Sequence, residues 1–324
     1  MRPRALVYRA IGLGDLLTGV PALRALRRAL PDHELVLAAP GAQGPIVELV
    51  DAVDRLLPTE ELAPVAWDGP PPDVAVDLHG NGPASRSLLE RLAPGRLVAF
   101  ETPDGPRWDP DEHERARWCR LVTTTFGVAA DPDDVGLATP TVASPAPEAV
   151  VVHPGAASGS RRWPAERYAA VARDLVDAGH RVVVTGSPGE RPLADDVRRR
   201  AGLPADALLA GRTDLAELTA LAAAAALVVC GDTGMAHLAS AYGTGSVLLF
   251  GPTPPRRWGP PPGPHAVLWH GTEVGDPHAG EPDPALLRIT VEEVLTAAHA
   301  ALRRRDRPAR ASSAPSASAP RPRR

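Results

Sequence analysis

Short apolar runs alternate along the chain with longer segments in which apolar residues recur every three or four positions. The first run, Ala5 to Tyr8, predicts a buried strand; a glycine turn follows, and the spacing from Asp15 to Leu30 predicts a helix. The same rhythm predicts further strands at 35–38, 74–78, 97–100, 150–153, 181–185, 227–230 and 246–250. It predicts further helices at about 111–126, 164–178, 190–201, 214–224, 233–242 and 290–305. Strands that alternate with helices are typical of α/β architecture with largely parallel sheets.

The strand–helix rhythm stops in a Pro/Ala/Ser stretch at 141–149 and restarts at Val150. A stretch of that composition without periodicity is typical of a linker. A chain of 324 residues is also long for one hydrophobic core and suits two domains. We therefore predict an N-terminal domain at 1–142 and a C-terminal domain at 150–305. The last segment, 306–324, is almost only Arg, Pro, Ala and Ser, which predicts a disordered tail.

The distribution of charge narrows the classes of partner. The chain has no lysine, and all 35 of its basic residues are arginine. The net charge is −4, but eight Arg and one Asp between Arg303 and Arg324 contribute +7, which leaves −11 on the rest of the chain. An acidic body argues against nucleic acid as the main partner. The basic end would suit a peripheral contact with an anionic surface such as the inner membrane, although short basic tails are often inert.

The sequence gives no sign of export or of a membrane span. The apolar residues before Arg9 are too few for a signal peptide. The longest apolar run, about 215–230, is interrupted by Glu217 and Thr219 and falls short of the roughly 20 residues that a span needs. Two cysteines make neither a disulfide framework nor a zinc module. We expect a cytoplasmic protein.

The glycine turn after the first strand, Gly12-Leu13-Gly14-Asp15, is the first candidate for chemistry. It is not a dinucleotide fingerprint, because its glycines are spaced G-x-G-x(4)-G and the second strand does not end in an acid. A P-loop is excluded because it requires a lysine. The turn places Asp15 in the first turn of a helix at the mouth of the sheet. There it has a chemical role or simply stabilises the helix N-terminus.

A small-residue loop in the C-terminal half has the features of an anion site. His153 ends a strand, and the loop that begins at Gly155 carries Arg161 and Arg162 just before a helix. Small residues let backbone N–H groups approach an anion, and arginine adds charge and a planar fork. A solvated basic loop is the alternative interpretation.

A second candidate anion site is the turn Gly231-Asp232-Thr233-Gly234, which joins a strand to a helix. The free N–H groups and the positive dipole end of such a helix suit phosphate, and Thr233 adds a hydroxyl group. His237 follows Thr233 by four residues, so we expect both on one face of the helix. An ordinary cap beside a core histidine is the alternative.

The segment Asp77-Leu78-His79-Gly80-Asn81 lies at a strand end in the N-terminal half. In open α/β sheets, ligands bind beyond the carboxyl ends of the strands, so these polar groups are expected near Asp15 on the acceptor side. No D-x-D motif follows a strand, and the acidic pairs at 133–134 and 195–196 fit a loop and a solvated helix face. We therefore expect no metal site.

Taken together, these segments resemble glycosyltransferase family 9, the heptosyltransferases of the two-Rossmann GT-B class. The resemblance covers about 4–302 and is carried by the following motifs: Gly12-Leu13-Gly14-Asp15, His153-Pro154-Gly155-Ala156, Arg161-Arg162-Trp163-Pro164, Gly211-Arg212-Thr213, Asp232-Thr233-Gly234-Met235-Ala236-His237-Leu238 and Leu249-Phe250-Gly251-Pro252-Thr253. It implies two Rossmann-like domains that face a cleft. The N-terminal domain would bind the acceptor, and the C-terminal domain would bind a nucleotide sugar.

The resemblance also implies roles for single residues. Asp15 would be the general base for the acceptor hydroxyl, and Arg161 would neutralise the donor diphosphate at a position where the family commonly has lysine. Glu190 is the nearest match to the acid that binds the nucleoside ribose. The remaining expected site residues are, for the diphosphate, Asp232, Thr233, Gly234 and His237; for the nucleoside, His153, Gly155 and Gly186; and, on the acceptor side, Gly14, His79 and Asn81.

The expected activity is an inverting, metal-independent sugar transfer without a cofactor. One base and no nucleophile pair imply a single displacement, completed as the two domains close. By resemblance the donor would be ADP-heptose and the acceptor a glycan of the lipopolysaccharide core, although a lipid-linked or small-molecule acceptor stays open. A nucleotide-sugar epimerase of the same fold, a non-catalytic nucleotide-binding module and a dinucleotide oxidoreductase are the alternatives. An acid in the domain opposite the phosphate motifs speaks against the non-catalytic module.

Overall fold

A computed structural model describes residues 2–306 of the chain and shows two parallel five-stranded sheets. Strands β1 to β5 are Arg4–Tyr8, Glu34–Ala39, Arg55–Pro58, Val74–Asp77 and Arg96–Val98. They form the first sheet in the order β3-β2-β1-β4-β5. Strands β6 to β10 are Val150–His153, Val182–Val184, Leu227–Gly231, Ser246–Leu249 and His265–Leu268. They form the second sheet in the order β10-β9-β8-β6-β7.

Helices lie in the connections between consecutive strands, as parallel pairing favours, except between β3 and β4, where 59–73 contains no helix. Helices α1 to α11 are Leu13–Ala29, Gly44–Val50, Pro83–Glu90, Glu114–Phe126, Ala165–Asp177, Arg191–Arg200, Leu215–Ala224, Gly234–Ala241, Pro255–Trp258, Pro284–Leu287 and Val291–Asp306. Short 3₁₀ turns lie at Gly41–Gln43, Gly159–Arg161, Pro188–Glu190 and Ala205–Ala207. The two parallel sheets with their helices confirm the predicted fold class.

Sequence periodicity located the long elements to within a few residues and missed the short ones. The strands Arg55–Pro58 and His265–Leu268 lie at sheet edges, where partly exposed residues weaken the apolar signal. Helix α1 begins at Leu13 rather than at Asp15, because the carbonyl of Gly12 already accepts from the N–H of Leu16. Pro164 precedes α5 as its N-cap, whereas we predicted it inside the first turn.

The two sheets are linked by helix packing rather than by the covalent connection alone. Helix α1 packs against α8, and one buried apolar cluster runs from Leu16 in α1 to Met235 and Leu238 in α8. The predicted linker is itself attached to the second half, since the N–H of Glu148 donates to the carbonyl of Ala224. The exact domain limits stay a prediction, and the predicted tail at 306–324 lies almost wholly outside the described residues.

Within residues 2–306, none of the helices combines the length and the apolar character that a membrane crossing requires.

Candidate functional site

Two glycines let the N-termini of α1 and α8 meet between the two halves of the molecule. A Cβ atom on Gly14 would lie 3.0 Å from Cδ2 of His237, and one on Gly234 would lie 2.9 Å from Cδ2 of Leu13. A larger residue at either position would therefore require the facing side chain to shift. The positive dipole ends of two helices, one from each half, therefore converge on the same region.

Asp15 lies in the first turn of α1, at this meeting point. Burial raises the pKa of its carboxyl group; the charges of Arg9 and Arg161 oppose the shift, and that of Glu114 adds to it. A carboxylate with a raised pKa is a stronger base than an ordinary aspartate, which is the property that proton abstraction from a hydroxyl group needs. Arg161 belongs to the other half of the molecule, so the pKa of Asp15 is affected by charges from both halves.

Arg161 and Asp232 form the charged centre of the C-terminal side. The guanidinium group of Arg161 donates to the backbone carbonyl of Asp232, and its Nη2 lies 3.5 Å from Oδ2 of the same residue. Burial raises the pKa of Asp232 to about 6; Arg161 opposes this shift and the charge of Asp15 adds to it. The pKa of each of these two carboxyl groups is thus affected by a charge from the opposite half of the molecule.

The start of α8 is where we predicted a phosphate site, and the structure corrects one detail of that prediction. Thr233 is the N-cap in extended conformation and precedes the helix, so it does not share a helix face with His237 as we predicted. Its hydroxyl oxygen is buried and has no hydrogen-bond partner among the described residues. Nε2 of His237 lies 3.9 Å from Oδ1 of Asp232. Burial, together with nearby arginines, lowers the pKa of His237 to about 3, so the ring is neutral at physiological pH.

The residues predicted for the nucleoside form a second cluster beyond the ends of β6 and β7. A Cβ atom on Gly155 would lie 2.2 Å from Oε1 of Glu190, and one on Gly186 would lie 3.2 Å from Cβ of Glu190. Gly155 therefore leaves the space that the Glu190 carboxylate occupies, and Gly186 is in tight contact with the same side chain. The other oxygen, Oε2, accepts from the N–H of Ser187 at 2.8 Å. His153 is buried and electrostatically linked to Glu190, and burial lowers the pKa of its imidazole. The structure brings these four predicted residues together.

The turn after β4, which we predicted on the acceptor side, is built around a buried carboxylate. Asp77 accepts from the hydroxyl of Ser85 at 2.7 Å and from the N–H of His79 at 2.9 Å. The ring of His79 packs against Tyr8, with 5.1 Å between centroids, and its Nδ1 is buried without a partner in the described part of the chain. The backbone carbonyl of Asn81 accepts from Arg86. Gly14 faces His237 of the other half, so it serves the contact between the helices.

Sequence reasoning missed Arg9 and Glu114, which lie directly behind Asp15. The guanidinium group of Arg9 donates to the backbone carbonyl of Asp15 at 2.6 Å, and Glu114 pairs with Arg9 at 3.5 Å. The sequence could have indicated a role for Arg9, because it is a single charged residue between an apolar strand and the glycine turn. No local pattern pointed to Glu114, because it reaches the site only through the packing of α4 on α1.

In the portion of the chain that is described, no three His, Cys, Asp or Glu side chains come together as metal ligands. Cys119 and Cys230 are buried and unpaired.

Comparison with known proteins gives a family match over more than half of the chain. The model of the family described as glycosyltransferase family 9 (heptosyltransferase) matches residues 109–283. Lipopolysaccharide heptosyltransferase 2 of Escherichia coli K12 is 32% identical over 158 residues, which cover 46% of this chain and 45% of that protein. The chain thus matches less than half the length of this curated relative.

Two solved structures have the same fold. The ADP-heptose lipopolysaccharide heptosyltransferase II of E. coli matches with a TM-score of 0.74 at 22% identity, over 93% of this chain and 99% of that one. The heptosyltransferase TibC, described as iron-containing and in complex with ADP-D-β-D-heptose, matches with a TM-score of 0.62 at 14% identity, over 94% of this chain and 77% of that one. At these identities the likeness confirms the fold, in which two α/β domains face a cleft.

Proposed function

The chain belongs to glycosyltransferase family 9, and on that premise we propose that it transfers a heptose-like sugar from a nucleotide-diphosphate donor to a hydroxyl group of an acceptor glycan. The observation that supports this most directly is the convergence of Asp15 from one half with Arg161 and the start of α8 from the other. Sugar transfer needs a base beside the acceptor and positive groups beside the leaving diphosphate. The cleft supplies both, on opposite walls.

In the proposed reaction, Asp15 takes the proton of the acceptor hydroxyl as its oxygen attacks the anomeric carbon. The bond from that carbon to the diphosphate oxygen breaks, and the electron pair leaves with the diphosphate. Arg161, the free N–H groups at the start of α8 and the hydroxyl of Thr233 stabilise the charge that develops there. A single displacement at this carbon inverts the anomeric configuration.

Two side chains of the diphosphate site have supporting roles in this proposal. Asp232 is buried beside Arg161 and pairs with it, so it orients the guanidinium group towards the phosphates. His237 is neutral and contributes as a hydrogen-bonding group rather than as a charge. The positive groups at this wall can neutralise a diphosphate without a metal ion, and we propose that transfer is metal-independent.

The nucleoside would lie against the cluster at Gly155 and Gly186. Glu190 presents one carboxylate oxygen over Gly155, the geometry of an acceptor for ribose hydroxyl groups. We propose ADP-heptose as the donor, because one fold neighbour is described with ADP-D-β-D-heptose and a curated relative is a lipopolysaccharide heptosyltransferase. The acceptor would then be a lipopolysaccharide-core glycan, bound near His79 and Asn81.

A donor panel tests this proposal. ADP-, GDP-, UDP- and dTDP-sugars are added in turn, and the shift in Tm is recorded for each. A nucleotide sugar that binds the native state raises Tm, and at 100 times its Kd the stabilisation is about 2.7 kcal/mol. The ADP-sugar should give the largest shift, and NMR of the product formed with a core acceptor should show an inverted anomeric centre. The absence of a shift with every donor, or a retained configuration, would refute the proposal.

A further inference from the structure

Arg9 is a buried cation directly behind the base, at the carboxyl end of β1. It is 1% exposed, so it cannot touch a substrate in the cleft. Burying an arginine is costly unless its donors are satisfied and its charge is paired. In this chain the donors of Arg9 are satisfied and its charge is paired, by partners from three different elements. So many dedicated contacts indicate that Arg9 has a function.

The guanidinium group of Arg9 ties the base to the acceptor-side turn. Its Nε donates to the backbone carbonyl of Asp15 at 2.6 Å, and its Nη1 donates to the carbonyl of Leu78. Its Nη2 donates to Oγ1 of Thr18 at 2.9 Å, and that hydroxyl in turn donates to the carbonyl of Asp15 at 2.8 Å. The peptide of the base is thus held twice, and the same planar group holds the turn that carries His79.

Helix α1 makes room for this group at one position. A Cβ atom on Gly19 would lie 2.8 Å from Nε of Arg9, closer than real Cβ contacts permit. Gly19 therefore lets the guanidinium group lie flat against the first turns of α1. Lysine could not replace Arg9 here, because one ammonium group lacks the planar fork that reaches Asp15 and Leu78 in different directions.

Glu114 pairs with Arg9 and also, more closely, with Arg117 of its own helix. Oε1 of Glu114 lies 3.5 Å from Nη2 of Arg9 and accepts from Nε1 of Trp118 at 2.7 Å, while Cζ of Arg9 lies 4.8 Å from the centre of the Trp118 ring. Arg9 acts to lower the pKa of Asp15, and Glu114 acts to raise it. Arg9 therefore restrains Asp15, and Glu114 cancels part of the positive charge that would otherwise lower the pKa of Asp15 and make it a weaker base.

We propose that Arg9 is a positioning residue for Asp15 and for the acceptor-side turn, and that Glu114 offsets part of its charge, so that the base is held by its peptide and keeps its carboxylate free. This proposal rests on the proposed function, since it assumes that Asp15 is the base. The charged groups that act on Asp15 are Arg9 just after β1, Glu114 in α4 and Arg161 before α5, and Asp15 in turn acts on Asp232 after β8. Arg117 in α4 pairs with Glu114, and His237 in α8 lies against Gly14, the residue before Asp15.

The first test is Arg9→Lys in the full-length protein, with sugar transfer and donor binding measured separately. The lysine retains the charge but loses the fork, so kcat should fall at least about tenfold, because small misplacements of a catalytic group are costly. The donor Kd should stay within about twofold, because the donor site lies in the other half. Arg24→Lys is the matched control: Arg24 is also in contact with backbone carbonyls, at Val50 and Asp134, but on the far part of α1.

The second test is Glu114→Gln, which should retain the hydrogen bond to Trp118 and remove the charge. Glu114 raises the pKa of Asp15, so its removal lowers that pKa and should move the acid limb of the kcat/KM profile to lower pH. A purely structural role would lower activity without moving this limb. Glu112→Gln is the matched control, because Glu112 pairs with Arg120 on the outer side of the same region.

An unchanged kcat in Arg9→Lys, or an acid limb that is the same in Glu114→Gln as in Glu112→Gln, would overturn the positioning proposal. Asp15→Asn in the same assays separates this failure from that of the proposed function. If Asp15→Asn is inactive and the Arg9 variant is normal, only the positioning proposal is wrong. If Asp15→Asn itself retains full turnover, the assignment of the base is wrong, whatever the other variants show.

Discussion

Replacing Arg161 with alanine removes the charged group that we assign to the donor diphosphate. In the free protein this side chain is 26% exposed, donates to the carbonyl of Asp232 and lies 3.5 Å from its carboxylate. One charge-assisted hydrogen bond contributes about 1.5–3 kcal/mol. Partial exposure favours the lower end of that range, so Arg161→Ala should weaken ADP binding about tenfold. The loss in kcat should be added to this, because the charge on the diphosphate grows in the transition state.

The same substitution also changes the pKa of Asp232, which determines the pH at which binding should be measured. Arg161 acts to lower the pKa of Asp232, which is already raised to about 6, so its removal raises that pKa further. Near neutral pH a larger fraction of Asp232 would then be protonated, which relieves its repulsion of the diphosphate and hides part of the loss. Binding should therefore be measured at pH 8 and above as well as at pH 7, and the deficit should be larger at the higher pH.

The assay is calorimetric titration with ADP and with AMP. The deficit should be larger for ADP, because the second phosphate is the one expected beside Arg161. Arg162→Ala is the matched control: Nε and Nη2 of Arg162 both donate to the carbonyl of Ala156, and its charge acts on Glu190, so any loss should be the same for ADP and AMP. Equal deficits for ADP and AMP, or a larger loss in Arg162→Ala than in Arg161→Ala, would refute this assignment.

Two further predictions concern the same site, and a third concerns the C-terminal segment. Asp232→Asn should raise Tm at pH 7–8. The pKa of this carboxyl group is raised from 3.8 to about 6, so its ionisation destabilises the folded state as pH rises from about 4 to 6. The gain in the free energy of unfolding is at most about 3 kcal/mol and should vanish below about pH 4; a gain that persists there would contradict the prediction. Sugar transfer should survive treatment with EDTA, since Arg161 and the start of α8 supply the positive charge; activity restored only by added metal would show the reverse. Removal of 306–324 should leave turnover unchanged in solution, and co-sedimentation with anionic vesicles, with and without this segment, decides whether it contacts a membrane.

The sequence predicted the fold well because the strands are nearly continuous apolar runs and the long helices have clear periodicity. Strand β6, with three consecutive valines, is fully buried as that pattern indicates. Glycines at helix starts were equally informative: Gly14 and Gly234 lie where α1 and α8 approach each other closely. The motif-based site residues gather in two clusters, one at the start of α8 and one around Glu190.

The sequence did not predict what depends on long-range packing. Glu114 is 99 positions from Asp15 in the numbering, and only the packing of α4 against α1 brings the two together. The raised pKa of Asp232 was also invisible, because it arises from burial and from a carboxylate in the other half. Thr233 was misplaced by one position, since spacing alone does not distinguish an N-cap from the first helical residue.

The most direct test of the account is the substitution Asp15→Asn, with transfer and donor binding measured on the same preparation. General-base catalysis contributes about 10²–10⁴-fold, so transfer should fall by at least about a hundredfold. The Kd for the ADP-sugar should stay within about twofold, because the diphosphate and nucleoside clusters lie in the other half of the molecule. Asp32→Asn, an exposed position beyond the end of α1, is the control and should behave as the unsubstituted protein. Near-normal turnover in Asp15→Asn would contradict the assignment of the base and, with it, the proposed mechanism.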